Sequence, residues 1–244
     1  MSEFRYHRPS AFPPVVKNLI IINFLVWIAQ LSFHNKDFDL TDYISLYPVD
    51  DPHFKFYQLI THMFAHAAYA GGSIVFYHIL FNMFALWMFG RVLENVWGGK
   101  RFLFFYLACG IGAAVCHLLV QHLRFDPNVI MNIENAYRAG DQNAYDYWVN
   151  KAGFMAPAVG ASGAIMGVLA AFAYLFPNTE LFILPIPVPI KAKWAVIGYV
   201  AIDLFLGLGS VSGDNVAHFA HLGGAITGFI IVFIWNKTNR RTLY

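Results

Sequence analysis

Six apolar stretches divide the chain, at roughly residues 16–33, 73–90, 102–123, 158–176, 194–210 and 215–236. Each is close to the ~20 residues that a bilayer-spanning helix needs, although the fifth is short and contains Asp203. Turn formers fall between them: Gly98-Gly99 before the third stretch, Pro177-Asn178 after the fourth, and Gly207 to Asp214 before the sixth. The pattern predicts an all-α polytopic membrane protein. Its expected parts are a short N-terminal segment over 1–15, a six-helix membrane domain over 16–236, and a tail over 237–244. Two connections are long. Residues 34–72 mix Asp with Phe, Tyr and His, as expected of a segment lying partly in the lipid interface. Residues 124–157 are polar and are expected to form a small extramembrane excursion. No internal repeat of the kind found in many transporters is present.

Composition supports the membrane assignment. Hydrophobic residues make up 58% of the 244 positions and charged residues only 12%, with 24 Phe and 6 Trp. A soluble domain carries about 25% charged residues. In water so apolar a chain would expose large adhesive patches, whereas lipid solvates them. The net charge of +2 gives no reason to expect a nucleic-acid partner. The two cysteines, Cys109 and Cys116, are seven residues apart in one apolar stretch, about 10 Å along a helix and too far for a disulfide. The basic start and first apolar run lack a small-x-small cleavage site, so the run reads as a retained span.

Charge placement orients the chain. With the N-terminus in the cytoplasm, the inner segments hold 11 Lys and Arg and the outer segments 5. The positive-inside rule therefore places both termini inside, which six spans allow.

Polar residues within spans are costly and form the functional shortlist. Four stand out: His78 and Asn82 in the second stretch, Ser162 in the fourth and His221 in the sixth. All three stretches run from outside to inside, and counting residues puts the four at roughly 6–14 Å below the outer surface. Three distant segments thus deliver polar groups to one depth. A serine hydroxyl becomes nucleophilic when a base takes its proton, and histidine, with a pKa near 6.5, suits that task. His78 and Asn82, spaced i,i+4, share a helix face. With the Ser162 N–H they could stabilise the oxyanion of acyl transfer. Gly163-Ala-Ile-Met-Gly167 and Gly224-Ala-Ile-Thr-Gly228 are small-xxx-small patterns that let two helices approach closely.

These residues resemble the rhomboid family of intramembrane serine proteases. His78-Ile-Leu-Phe-Asn82 is similar to the family's His-x-x-x-Asn element. Leu93-Glu94, with Gly98-Gly99-Lys100-Arg101-Phe102, looks like its Leu-Glu…Gly-x-x-Arg-Phe junction. Gly160-Ala161-Ser162-Gly163 matches the nucleophile motif. Ala220-His221-Leu-Gly-Gly224-Ala-Ile-Thr-Gly228 matches Ala-His-x-x-Gly-x-x-x-Gly. The resemblance runs from about residue 57 onward. It implies a six-helix rhomboid-like bundle and a Ser162–His221 dyad with no acidic third member. It also implies an oxyanion and substrate site lined by His78, Asn82, Gly160 and Ala161, with no cofactor and no metal. The implied substrates are single-span membrane proteins, cut near the outer end of their helix. The expected location is a bacterial inner (cytoplasmic) membrane. Three features depart from the family pattern. Tyr57-Gln58 stands where Trp-Arg is usual, which puts the anchoring of the first outer loop in doubt. Met166 takes the place of an aromatic that packs on the histidine, and the 124–157 excursion is long.

Several residues admit other readings. His218 competes with His221 as base, but only His221 has glycines at +3 and +7; His218 is expected to be a hydrogen-bonded neighbour. Asp203 invites a triad reading, yet it falls near the middle of the fifth stretch, below the dyad, and is read as structural or protonated. Glu94 is expected to pair with Arg91 or a loop N–H, and Gly207 to Asp214 to form a mobile cap. Ten histidines raise a metal transporter or metal enzyme as the rival, with His62 and His66 at i,i+4 spacing. Against it, there is no His-Glu-x-x-His and no intramembrane carboxylate cluster to complete a ligand set. An inactive relative serving as a scaffold is disfavoured because Ser162 and His221 are both present.

Overall fold

A computed structural model of the chain describes residues 9–34, 38–70, 72–153, 156–182, 188–209 and 217–238. It is mostly helical. The principal helices are α1 (Pro14–Phe33), α2 (Tyr77–Trp97), α3 (Gly99–Arg124), α4 (Ser162–Leu175), α5 (Ala192–Gly209) and α6 (His218–Thr238). Four of them, α1, α2, α3 and α6, are long and apolar enough to cross a membrane.

Local chemistry sets several boundaries. Pro14 supplies the fixed φ suited to a first helical position, where its missing N–H removes no bond. The Glu94 carboxylate accepts the Val15 and Val16 N–H groups at 2.9 and 2.7 Å, capping α1 from α2. Glu94 was expected to pair with Arg91 or a loop N–H; its partners are instead N–H groups in the first turn of α1, while Arg91 lies over the Trp87 ring at 4.2 Å. Gly98, at φ 78°, makes the sharp turn from α2 into α3. The fourth apolar stretch differs from expectation. Its helix begins at Ser162, not 158, because Gly160 at φ 128° breaks the helical path.

The helices are apolar on most sides. α1 buries Val16, Leu19, Asn23, Trp27 and Gln30 yet leaves Leu25 and Ile28 exposed; α5 exposes Ile197, Ile202 and Phe205. Water would disfavour such faces, whereas a bilayer accommodates them. The core forms where α2, α3, α4 and α6 meet, around Ile79, Leu86, Phe102, Phe105, Tyr106, Cys109, Ile165 and Val168. Both cysteines are free.

The two long connections are structured. The first contains short helices Leu40–Ile44 and Gln58–Thr61 and a two-stranded antiparallel hairpin. The second forms a helical pair, Val129–Ala139 and Gln142–Gly153. Its base is fastened by Lys151 to Asp126 at 2.9 Å.

Candidate active site

Ser162 is the first residue of α4, and its Oγ lies 2.8 Å from His221 Nε2, on the first turn of α6. The two residues are 59 positions apart in sequence. Glycines make the approach possible. A methyl group on Gly224 would overlap the Gly163 carbonyl, one on Gly163 would stand 2.6 Å from Ala113 Cβ, and one on Gly167 would stand 2.9 Å from the Gly224 carbonyl. Gly228 likewise faces Gly167. All four expected packing glycines therefore lie at the α4–α6 contact or beside it.

At the start of α4 the Ser162 N–H has no partner four residues earlier in the helix and points out of its positive end. Gly160 leaves room in front of the hydroxyl. A Cβ there would lie 3.2 Å from His78 Nε2 and 3.5 Å from Ser162 Oγ. His78 Nδ1 accepts the Ala67 N–H at 3.1 Å, which leaves the proton of the neutral ring on Nε2, the atom facing this space. Asn82, which is buried, donates one Nδ2 hydrogen to the His78 carbonyl at 2.8 Å. Its Nδ2 carries a second hydrogen. His78, Gly160 and Ser162 thus meet directly, and Asn82 sits one helical turn behind His78.

The connection between α1 and α2 holds these groups in place. Gln30 of α1 accepts the His66 N–H at 2.9 Å and donates to the His66 carbonyl at 3.0 Å, fixing the chain beside Ala67. The His62 carbonyl accepts the Gly160 N–H at 2.9 Å, and Leu46 and Ala158 exchange both backbone bonds at 2.9 Å. Residues 158–160 are thereby held extended into Ser162. Gln58, fully buried, binds the loop from within. Its Oε1 accepts from Tyr47 and Lys55 N–H, and its Nε2 donates to the Tyr43 and His53 carbonyls. The departure at Tyr57-Gln58 therefore does not cost the loop its anchor. Burial pushes His62 down to about 4, opposed by its hydrogen bond to the Gln58 carbonyl, and burial with nearby His78 pushes His66 down to about 3. Both are neutral at physiological pH.

Asp203 requires a correction. It lies level with the Ser–His pair, not below it. Its Oδ2 is 3.0 Å from His221 Nδ1 and its Oδ1 is 2.5 Å from His218 Nδ1. His218 is a hydrogen-bonded neighbour, as expected, though its partner is the aspartate. Tyr199, one turn before Asp203, lies over the His221 ring with centroids 6.3 Å apart. Tyr199 thus supplies an aromatic against the histidine although Met166 departs from the family pattern, and Met166 packs with Ala170 and Ala225. The i,i+4 spacing of Tyr199 and Asp203 on one helix face was the available sequence signal. The expected cap at Gly207 to Asp214 falls largely on 210–216, outside the described residues.

A single carboxylate joins two imidazoles here. Ligating atoms of Asp203, His218 and His221 lie within 4.8 Å of one another. In this arrangement both Nδ1 atoms face the carboxylate and His221 Nε2 faces Ser162. His62 and His66 bind different backbone carbonyls and do not converge as a pair.

A serine hydroxyl hydrogen-bonded to an imidazole within an apolar helix bundle is the arrangement of a candidate serine-hydrolase site, and comparison with known proteins gives the family. The Rhomboid domain matches residues 53–238. The chain belongs to the rhomboid family. It is 29% identical over 155 residues to Rhomboid protein 1, mitochondrial, of Saccharomyces cerevisiae, covering 64% of this chain and 37% of that protein. It is 31% identical over 160 residues to Rhomboid protease AarA of Providencia stuartii, covering 63% and 49%. It is 28% identical over 176 residues to Rhomboid protease GluP of Bacillus subtilis, covering 72% and 25%. The aligned part spans between a quarter and a half of these curated relatives. The relatives are bacterial and mitochondrial alike; they support a membrane protein, and the narrower bacterial inner-membrane expectation does not follow from them.

Proposed function

We propose that this chain is an intramembrane serine protease that cuts membrane-spanning substrates near the outer face, with Ser162 as nucleophile and His221 as base. The observation that carries this reading is the 2.8 Å contact between Ser162 Oγ and His221 Nε2 inside an apolar helix bundle. In the first step the hydroxyl proton passes to Nε2 while Oγ bonds to the scissile carbonyl carbon. The developing oxyanion is met by the Ser162 N–H and the His78 Nε2–H, with Asn82 Nδ2 behind them; removing one such donor typically lowers the rate by about 10²–10³. His221 then returns the proton to the leaving amine, and water hydrolyses the acyl-enzyme by the same route. Gly160 and Ala161 form the floor against which an unwound substrate strand would lie.

The fuller architecture belongs to the same proposal. Helices α1 to α6 would each span or line the bilayer, both termini would be cytoplasmic, and the partners would be lipid and single-span membrane proteins. The relatives named as rhomboid proteases support the reaction class. A fluorophosphonate probe tests it: peptide mapping should place the adduct on Ser162, with no adduct in Ser162→Ala. Equal labelling of both proteins would remove Ser162 from the mechanism. No nucleic acid and no metal enters this reaction; a chelator should leave cleavage intact, and loss of cleavage would contradict the scheme.

A further inference from the structure

The Ser162–His221 reading leaves Asp203 unused, yet Asp203 is buried and each of its oxygens faces a different imidazole. We infer that Asp203 is the positioning residue of this site, setting the tautomer and the direction of the His221 ring, and that His218 holds Asp203 for that task. The inference rests on the proposed function, in which His221 is the base.

A neutral imidazole carries one proton. To accept from Ser162, His221 must have its lone pair on Nε2 and its proton on Nδ1. A free ring can adopt the opposite tautomer, in which Nε2 carries the proton and cannot act as a base. A carboxylate can only accept, so Oδ2 at 3.0 Å from Nδ1 selects the useful form. The same contact fixes the ring about its own bonds, since Nε2 is then directed at Ser162 Oγ. When Nε2 takes the serine proton, the carboxylate faces the new positive charge in an apolar medium, where such an interaction is worth far more than in water.

A carboxylate on α5 would be a poor guide if it could turn away. His218 prevents this by engaging Oδ1, so the plane of the carboxyl group is set by two donors on one helix turn of α6. Tyr199, on the turn of α5 before Asp203, covers the His221 face. The fifth helix thus supplies both the aromatic and the acid that frame the base. The array is Ser162, His221, Asp203, with His218 as the fourth member.

Two measurements test this. In the wild-type protein, ¹⁵N spectra of labelled histidine should show His221 with its proton on Nδ1 at a pH where the ring is neutral. The Nε2–H form would overturn the inference without any variant. In Asp203→Asn the amide can donate to Nδ1 and favours the wrong tautomer. We expect kcat for a single-span substrate to fall by about 10²–10⁴, with KM within threefold and fluorophosphonate labelling slowed in parallel. His218→Asn should lower kcat about tenfold and leave labelling confined to Ser162. Wild-type kcat in Asp203→Asn, with Ser162→Ala inert, would remove Asp203 while leaving the proposed function intact. Activity in Ser162→Ala would instead sink the proposed function itself.

Discussion

Gly163 and Gly224 lie backbone to backbone, close enough that a single methyl on Gly224 would occupy the space of the Gly163 carbonyl. This contact brings α4 against α6 one residue after Ser162 and three residues after His221. It links a helix-packing pattern to a hydrogen bond. Gly224→Ala should therefore separate the two helices and lengthen the Ser162–His221 contact. A displacement near 1 Å at a catalytic pair can lower turnover by about 10², and overpacking costs about 1–3 kcal/mol. Fluorophosphonate labelling read beside thermal unfolding checks this: both should fall, and unchanged labelling would mean the bundle absorbs the methyl elsewhere.

Gly160 leads to a second prediction. Its φ of 128° is left-handed, and a side chain there would press on His78 Nε2. Gly160→Ala should lower kcat by about 10² or more through displacement of one oxyanion donor. His78→Ala should give a loss of the same order, and the double variant should lose little beyond either single one. Steady-state cleavage assays of the three proteins decide it; fully additive losses would separate the two residues.

Gln58 carries a third. It makes four hydrogen bonds to loop backbone from a buried position. Gln58→Leu leaves those backbone groups without their partner and should destabilise the loop by about 2–4 kcal/mol. Limited proteolysis should then cut within residues 45–57 faster than in the wild type, while equal protection would assign the anchoring elsewhere.

The buried loop histidines set a pH limit. Unfolded histidine has a pKa near 6.5, whereas folded His62 is pushed down to about 4 and His66 to about 3. The unfolded state therefore binds more protons in this range, so stability falls as pH drops below 6.5, until the folded values are reached. At pH 5 each imidazole has withdrawn about 2 kcal/mol. The unfolding temperature should drop between pH 7 and pH 5, and His62→Gln should reduce that drop. An equal drop in both proteins would place the sensitivity in other groups.

Much of the helical fold, and most of the residues that the candidate site brings together, were legible in the sequence. Long apolar stretches report spanning helices because lipid cannot hydrogen-bond the backbone. Ser162, His78, Asn82 and His221 drew attention because polar groups are costly there. Asp203 was misplaced for a physical reason. Residue counting gives depth only if helices start at a common plane and run parallel, whereas tilt and offset are set by packing. Arg124 Nη1 donates to the Gly207 carbonyl at 3.1 Å, tying the end of α5 to the end of α3. That long-range bond is invisible to hydropathy. Gln58 was hidden for a similar reason: its four partners come from an irregular loop with no period to read.

In the proposed mechanism Ser162 and His221 together hydrolyse a peptide bond within the membrane. The most direct test reconstitutes wild type, Ser162→Ala and His221→Ala in lipid vesicles with one generic single-span substrate. The account predicts a single product pair from the wild type, cut near the outer end of the substrate helix, and none from either variant when all three are folded. Wild-type cleavage by either variant would contradict it.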